Sequence, residues 1–317
     1  MPVRFFVRRL LIGVGLLFAV AVLIFLLIQT VPGDPAMLLL SGSSGTVDPA
    51  ALAALQAQLG LDQPLWRQFA NYILGLLQGD FGTSFVQRKP VLELLMQRLP
   101  NTLELVGFAT IVSVILGVLF GVLSAALFKG SGTVFSAVTS FGLSAPVFVV
   151  GTLLVFFVSV RLKWLSAGGF VGWEDPGKHL QLLILPTLTI ALGLTATIAR
   201  STRSSVLETK SQDFVRTSRA LGHAPGQVWS QAILRNSLTP IVTVVGLQVG
   251  ILVGSTVLVE RVFNWPGLST LLVESVVQRD YPVIQGVILL TAGIFILINI
   301  IVDFLYTVLD PRARSDA

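Results

Sequence analysis

Long apolar runs alternate with polar stretches along this 317-residue chain. The first, Leu10 to Ile28, has nineteen residues without a charge. A membrane-spanning helix needs about 20 apolar residues, whereas a signal-peptide core has about 7–15. No small-x-small cleavage pattern follows cleanly, so the run predicts an uncleaved span at 9–28, with a signal peptide as the alternative. Five further runs predict spans at 103–128, 138–160, 180–199, 241–259 and 286–309. The pattern thus predicts an all-α, polytopic membrane protein of six transmembrane helices, one membrane domain over 1–317. An even number of spans puts both termini on one side.

Two polar stretches interrupt the oil. After the first span, V-P-G-D-P at 31–35 stops the helix, opening a large loop, 29–101. Within it, Ala50 to Leu59 has helical character and ends at Gly60. Residues 65–77 form an amphipathic segment with Trp66, Phe69, Ile73 and Leu76 near one face, lying on the membrane or on the protein's own helices. The second stretch, 200–240, is polar and basic between two apolar segments. Arg200 and Arg203 extend the fourth span into water. Asp213 is a first-turn acid, Phe214, Val215 and Leu221 give a short apolar edge, and Arg216 and Arg219 share a face. Gly222 and Pro225 supply the stop. A short helix over 213–222 is predicted, and Val228, Trp229, Ala232 and Ile233 begin a second one leading to Pro240. So short a helix is marginal in water unless it packs on something, either anionic lipid or a groove on a partner.

Inside the runs, Gly246, Gly250 and Gly254 form one small-residue stripe, and Ser113, Gly117, Gly121 and Ala125 another. Residues four apart share a helix face, and small ones admit a neighbouring backbone. Such stripes serve ordinary helix packing, a subunit interface or a pore wall. Pro146 and Pro186 are candidate kinks. Asp303, one turn after Asn299, is a carboxylate deep in an apolar run. It calls for a partner, as a substrate or ion contact or as a structural pin.

Composition agrees: 54% of residues are hydrophobic and 12% charged, against about 25% charged in soluble domains. Absent cysteines exclude disulfides, thiolate metal sites and a cysteine nucleophile. The net charge of +5 does not argue for nucleic acid, because the basic residues are scattered without a basic, aromatic-interleaved face. They report topology instead. With the N-terminus inside, held by Arg4, Arg8 and Arg9, twelve Lys/Arg fall inside and nine outside, together the 21 of the chain. The inner set includes Lys129, Arg312 and Arg314. Four of the outer nine, Arg67, Arg88, Lys89 and Arg98, lie in the long first loop, which counts little in this rule. The 200–240 stretch is therefore expected in the cytoplasm, and 29–101 outside.

The stretch resembles the cytoplasmic loop of binding-protein-dependent ABC importer permeases, and more specifically the dipeptide/oligopeptide/nickel permease family. The resemblance rests on T-R-S-S-V-L-E at 202–208, D-F-V-R-T-S-R-A-L-G at 213–222, L-R-N-S-L-T-P at 234–240 and V-G-L-Q at 245–248. It continues in E-R-V-F-N-W-P-G-L at 260–268, R-D-Y-P-V-I-Q-G at 279–286 and V-D-F-L-Y-T-V-L-D-P-R-A-R at 302–314, with T-V-P-G-D-P at 30–35 and L-P-N-T-L-E-L at 99–105. It departs where Arg216, Thr217 and Ser218 replace the family's Glu-Ala-Ala, and where Leu221 stands in place of a common lysine. The partner's groove need not match that of better-known members.

The resemblance implies a permease subunit in the bacterial or archaeal inner membrane. Its partners are a second homologous permease, two cytoplasmic ABC ATPases and an extracytoplasmic binding protein. Asp213, Phe214, Val215, Arg216, Thr217, Ser218, Arg219, Ala220, Leu221 and Gly222 form the coupling helix that seats in an ATPase. The outer segments 161–178 and 260–282 are landing surfaces for the binding protein. The expected cargo is peptides, with nickel, glutathione or another small solute as the alternative. No cofactor or metal is expected, and no nucleotide-binding G-x-x-x-x-G-K-[ST] occurs in the chain.

Two other classes fit less of the chain. An ion-driven carrier calls for several intramembrane carboxylates and inverted repeats, and Asp303 alone is thin support. An intramembrane serine protease is suggested by Gly42-Ser43-Ser44-Gly45, but His179 and His223 lie in or beside loops, away from a shared depth. Ser44→Ala is therefore expected to leave transport by the assembled importer unchanged, and complete loss of activity in a reconstituted assay would revive the protease reading.

Overall fold

The computed structural model describes residues 3–31, 35–40, 48–127 and 132–309; Ser44, Lys129, Arg312 and Arg314 lie outside them. The described residues are helical, with no strand beyond an isolated bridge between Thr83 and Pro90. The helices are α1 (Val3–Gln29), α2 (Pro35–Leu40), α3 (Pro49–Leu59), α4 (Leu65–Leu77), α5 (Val91–Leu127), α6 (Gly132–Ser144) and α7 (Val147–Arg161). They continue as α8 (Pro176–Ser211), α9 (Asp213–Ala220), α10 (Pro225–Ser237), α11 (Thr239–Ser255), α12 (Val257–Val262), α13 (Leu268–Gln278) and α14 (Tyr281–Leu309). The last seven residues of α7 are π-helical, as is Val228–Leu234 within α10.

Four helices, α1, α5, α8 and α14, are each long and apolar enough to cross a bilayer. Two bent pairs bring the number to six when each is counted as one crossing. One departs sharply from the sequence reading. The run 138–160 is not a single helix: α6 and α7 meet at 94°. Ala145 and Pro146 form the corner, because the residue before a proline is driven out of the helical region. Pro186, by contrast, sits inside an unbroken α8. The second pair, α10 and α11, meets at 40° just before Pro240. α5 starts well before the expected span. Its 37 residues make a rod of about 55 Å, longer than a hydrocarbon core of about 30 Å.

The chain divides into two compact units. In unit 1 (residues 3–9, 101–266 and 294–309 of those described), α8 is the hub. Leu182, Leu183, Leu185 and Ile190 pack with Leu105 and Ala109 of α5 and with Val259, Phe263 and Trp265. Both small-residue stripes work inside this unit. A Cβ on Gly117 would stand 2.7 Å from the Cβ of Ile198, and one on Gly121 would meet the Ala199 carbonyl at 2.7 Å. Ser113 Oγ donates to Ala109 O at 2.6 Å. On α11, Gly246 faces Val302, Gly250 has Phe295 3.0 Å from where its Cβ would be, and Gly254 is exposed.

Unit 2 (residues 10–31, 35–40, 48–100 and 267–293 of those described) closes around Val91, Leu94 and Leu95 of α5, Leu268 and Leu271 of α13, and Val283 and Val287 of α14. The buried Asp280 carboxylate accepts from Ser84 Oγ and from the Phe85 (3.0 Å) and Val86 (3.4 Å) amides. On α4, Phe69 packs edge-on against Phe25 at 5.2 Å. Trp66 does not join it as the amphipathic pattern suggested. It is 67% exposed, with the Arg67 guanidinium over its ring.

Gly121→Leu is expected to destabilise the protein by about 1–3 kcal/mol, because the obstacles include backbone that cannot turn away. Gly107→Ala, where a Cβ meets nothing within 4 Å, is the neutral or mildly stabilising control. Thermal unfolding of the detergent-purified variants measures both.

Candidate functional site

α8 carries its apolar face to Thr209 and ends at Ser211. Gln212 adopts an extended conformation and turns the chain into α9, whose first turn holds Asp213. Gly222 at φ 81 and Pro225 at the start of α10 end that excursion. The helix proper stops at Ala220, and Leu221 and Gly222 form its cap, the Gly222 amide donating to Arg219 O at 3.0 Å.

The structure splits the apolar edge read from the sequence. Val215 is fully buried, in a cluster with Ala125, Val206, Val228 and Ile233. Phe214 is 46% exposed and Leu221 73%. A 100° step per residue on an eight-residue helix sends Val215 inward and its two apolar companions outward.

The basic residues divide as well. Arg200 Nε donates to Thr139 Oγ1 at 3.0 Å and Nη2 to Ser140 Oγ at 2.8 Å, tying α8 to α6. Arg203 lies over the Phe135 ring. Lys210 Nζ donates to Ala125 O at 3.1 Å, satisfying a carbonyl near the C-terminal end of α5, and also sits over Trp229. These three cations are spent inside the protein. Arg216 makes only a loose surface pair with Asp213, at 3.6 Å, of a kind worth little. Arg219 is exposed and makes no ion pair among the described residues. The outward surface of α9 is therefore Phe214, Arg216, Arg219 and Leu221, with Asp213, Thr217 and Ala220 also exposed and Ser218 half-buried.

Unit 1 also contains a cavity of about 330 Å³ at the α6–α7 corner, between α8 and α11. Gln248, Thr189, Thr197 and Thr256 are its polar lining, among Leu143, Ile251 and similar apolar groups. Thr189 and Thr197 bond back to the carbonyls of Leu185 and Gly193, as hydroxyls in apolar helices do. The sequence reading missed this group. The available signal was polar residues inside apolar runs.

Beside the cavity, two segments quoted for the family resemblance clasp each other. Glu260, fully buried, accepts from Thr102 and Thr256, both at 2.9 Å. Trp265 Nε1 donates to Asn101 O at 2.9 Å, and Asn101 Nδ2 returns a bond to Pro266 O at 2.8 Å. His179 is fixed between Val171 O (2.6 Å) and Glu104 (2.9 Å). The expectation that 260–282 is a landing surface must be narrowed, since Glu260, Phe263, Trp265, Leu268, Leu271 and Asp280 are buried. Exposed residues in 260–282 are Arg261, Asn264, Val276, Val277, Gln278 and Arg279, and in 161–178 the exposed groups include Trp164 and Trp173. Asp303 has its partner: Arg9 Nη1 lies 2.8 Å from its Oδ2.

The fold and site thus define a multi-pass helical membrane protein with an exposed helix outside the spans and a small cavity of mixed polar and apolar lining among them. Residues 117–315 match the family described as binding-protein-dependent transport system inner membrane component, and residues 2–106 match its N-terminal counterpart. The chain belongs to this family, the permease subunits of ABC importers. Relatives include the glutathione transport system permease protein GsiC of Salmonella typhimurium, 44% identical over 318 residues, covering 98% of this chain and 99% of that protein. The probable peptide ABC transporter permease protein y4tP of Sinorhizobium fredii is 40% identical over 314 residues, with the same coverage. Among solved structures, an inward-facing MetNI methionine ABC transporter superimposes with a TM-score of 0.57 at 20% identity, covering 68% of this chain and 96% of its own. An amino acid ABC transporter with histidines gives 0.53 at 15% identity, covering 68% and 94%. These last two bear on the fold.

Val215→Asp is expected to destabilise the protein by several kcal/mol, since it places an unpaired charge in an apolar cluster. Phe214→Ala combined with Leu221→Ala removes only exposed surface and should stay within about 1 kcal/mol of the parent. Thermal unfolding in detergent separates the two.

Proposed function

We propose that the chain is one of two permease subunits in an importer that moves short peptides, glutathione-like peptides included, delivered by an extracytoplasmic binding protein. Two separate ATPase subunits drive it, and α9 is the coupling helix seated in one of them. The observation that carries this reading is the construction of α9: its inner side packs on α5, α8 and α10 through Val215, and its outer side is free. A helix so mounted moves as a rigid body with α8, so a push on Phe214, Arg216, Arg219 and Leu221 reaches the cavity wall at Thr197 and Thr189.

The named cargo of two full-length relatives, glutathione and peptide, supports the substrate class. A lining of hydroxyls and one carboxamide suits peptide groups better than it suits a metal ion, which wants carboxylate, imidazole or thiolate. On this reading both termini and α9 are cytoplasmic. ATP binding closes the ATPases, the coupling helices follow, and the cavity alternates from inward- to outward-facing to receive peptide from the binding protein.

Reversing the charge of the outer face with Arg216→Glu and Arg219→Glu should lower peptide-stimulated ATP hydrolysis and uptake in proteoliposomes about tenfold or more, since arginines at interface centres are each worth about 1–2 kcal/mol. The bundle should still purify and unfold at the parent temperature. Undiminished assembly and coupled transport would sink the assignment of α9 as the docking element.

A further inference from the structure

His179 stands in the first turn of α8, ahead of the expected span 180–199, with none of its surface exposed. Its two ring nitrogens face two acceptors, both in unit 1. Nδ1 lies 2.6 Å from Val171 O and Nε2 lies 2.9 Å from Glu104 Oε1. A carbonyl has no proton to give, and neither has an ionised carboxylate. A neutral imidazole carries one N–H, so in either tautomer one ring nitrogen would turn its lone pair on an oxygen at hydrogen-bond distance. The imidazolium, with a donor on each nitrogen, satisfies both contacts.

The surroundings suit that cation. The ring centroids of Trp173, Trp265 and Phe170 lie 4.5, 5.7 and 5.8 Å from that of His179, within the about 6 Å over which a cation and an aromatic ring attract. The ion pair of His179 is with Glu104 of α5, whose side chain is 14% exposed. Glu174, just before α8, adds attraction from further off. Asp175 caps α8 by accepting from the Lys178 amide, and Lys178 is exposed. On the Trp265 side, the Glu260 carboxylate is held by Thr102 and Thr256. Burial works against a charged ring. The bonds to Val171 O and Glu104, with the charges of Glu104 and Glu174, outweigh it and raise the His179 pKa above its usual value.

We propose that His179 and Glu104 form a buried proton-binding site, in which an imidazolium locks the segment 162–175 to α5 and α8. The ring belongs to α8, Glu104 to α5 and Val171 to the segment, which also contributes Phe170 and Trp173 to the wall. Loss of the proton removes one donor and leaves a lone pair against an acceptor, so the lock opens as pH rises. The sign follows from the raised pKa. The stabilisation is complete below the unfolded-state value of about 6.5 and is lost as pH climbs through the higher folded-state value. Only the side of the membrane from which the proton arrives rests on the topology proposed above; the protonation itself does not.

The chain has two histidines, so His223→Asn leaves His179 as its one imidazole. The experiment is nitrogen NMR of this full-length variant, labelled with nitrogen-15 histidine and purified in detergent. At about pH 7.5, where free histidine is largely neutral, both ring nitrogens of His179 are expected to carry protons. When Glu104→Gln is added, the carboxamide can donate to Nε2, so the ring is expected to be neutral at the same pH with its proton on Nδ1. Thermal unfolding gives a second readout that a merely structural contact would not move. Between about pH 6.5 and 9 the parent should lose stability relative to Glu104→Gln, whose contact needs no extra proton. A neutral His179 ring at about pH 7.5 without the Glu104 change, or an imidazolium that persists with it, would overturn the proton site. Parallel unfolding profiles for the parent and Glu104→Gln would overturn the lock.

Discussion

The close contact of α5 and α8 is the constraint on which unit 1 depends. In lipid there is no hydrophobic force between helices, so association rests on van der Waals contact and interhelical hydrogen bonds. Gly117 and Gly121 let α5 lie against Ile198, Ala199 and Thr202 of α8 at a distance that any side chain would forbid. Ser113 adds a hydroxyl within 3.3 Å of Ala191 O. With α5 in place, α8 becomes a largely buried strut. It carries the cavity wall along its middle and holds α9 at its end.

Polar groups in this unit follow from the same setting. Away from water a lone charge is costly, and several polar groups of this unit turn back onto the protein. Arg200, Arg203 and Lys210 turn back onto hydroxyls, rings and a carbonyl, and Glu260 sits between two threonines. The consequence for function is a sorting of the basic stretch. The cations on α8 hold the bundle, and those on α9 face outward.

In the cavity of unit 1 the threonine hydroxyls at 189 and 197 satisfy themselves on their own helix, as short hydroxyl side chains in apolar helices do.

The sequence by itself determined the class, the long apolar helices, the limits of α4 and the start and stop of α9. Each of these is set by local chemistry: length of an apolar run, helical periodicity, a proline or a glycine at φ > 0. The family resemblance was carried in the same way, by contiguous segments. Only the tertiary structure decided that α6 and α7 meet in a corner, that Val215 turns inward while Phe214 and Leu221 stay out, and which arginines are consumed internally. It alone showed that Asn101 and Thr102 meet Glu260, Trp265 and Pro266. Those outcomes depend on partners distant in the chain, such as Thr102 with Glu260, and no local pattern encodes which distant group a side chain will meet.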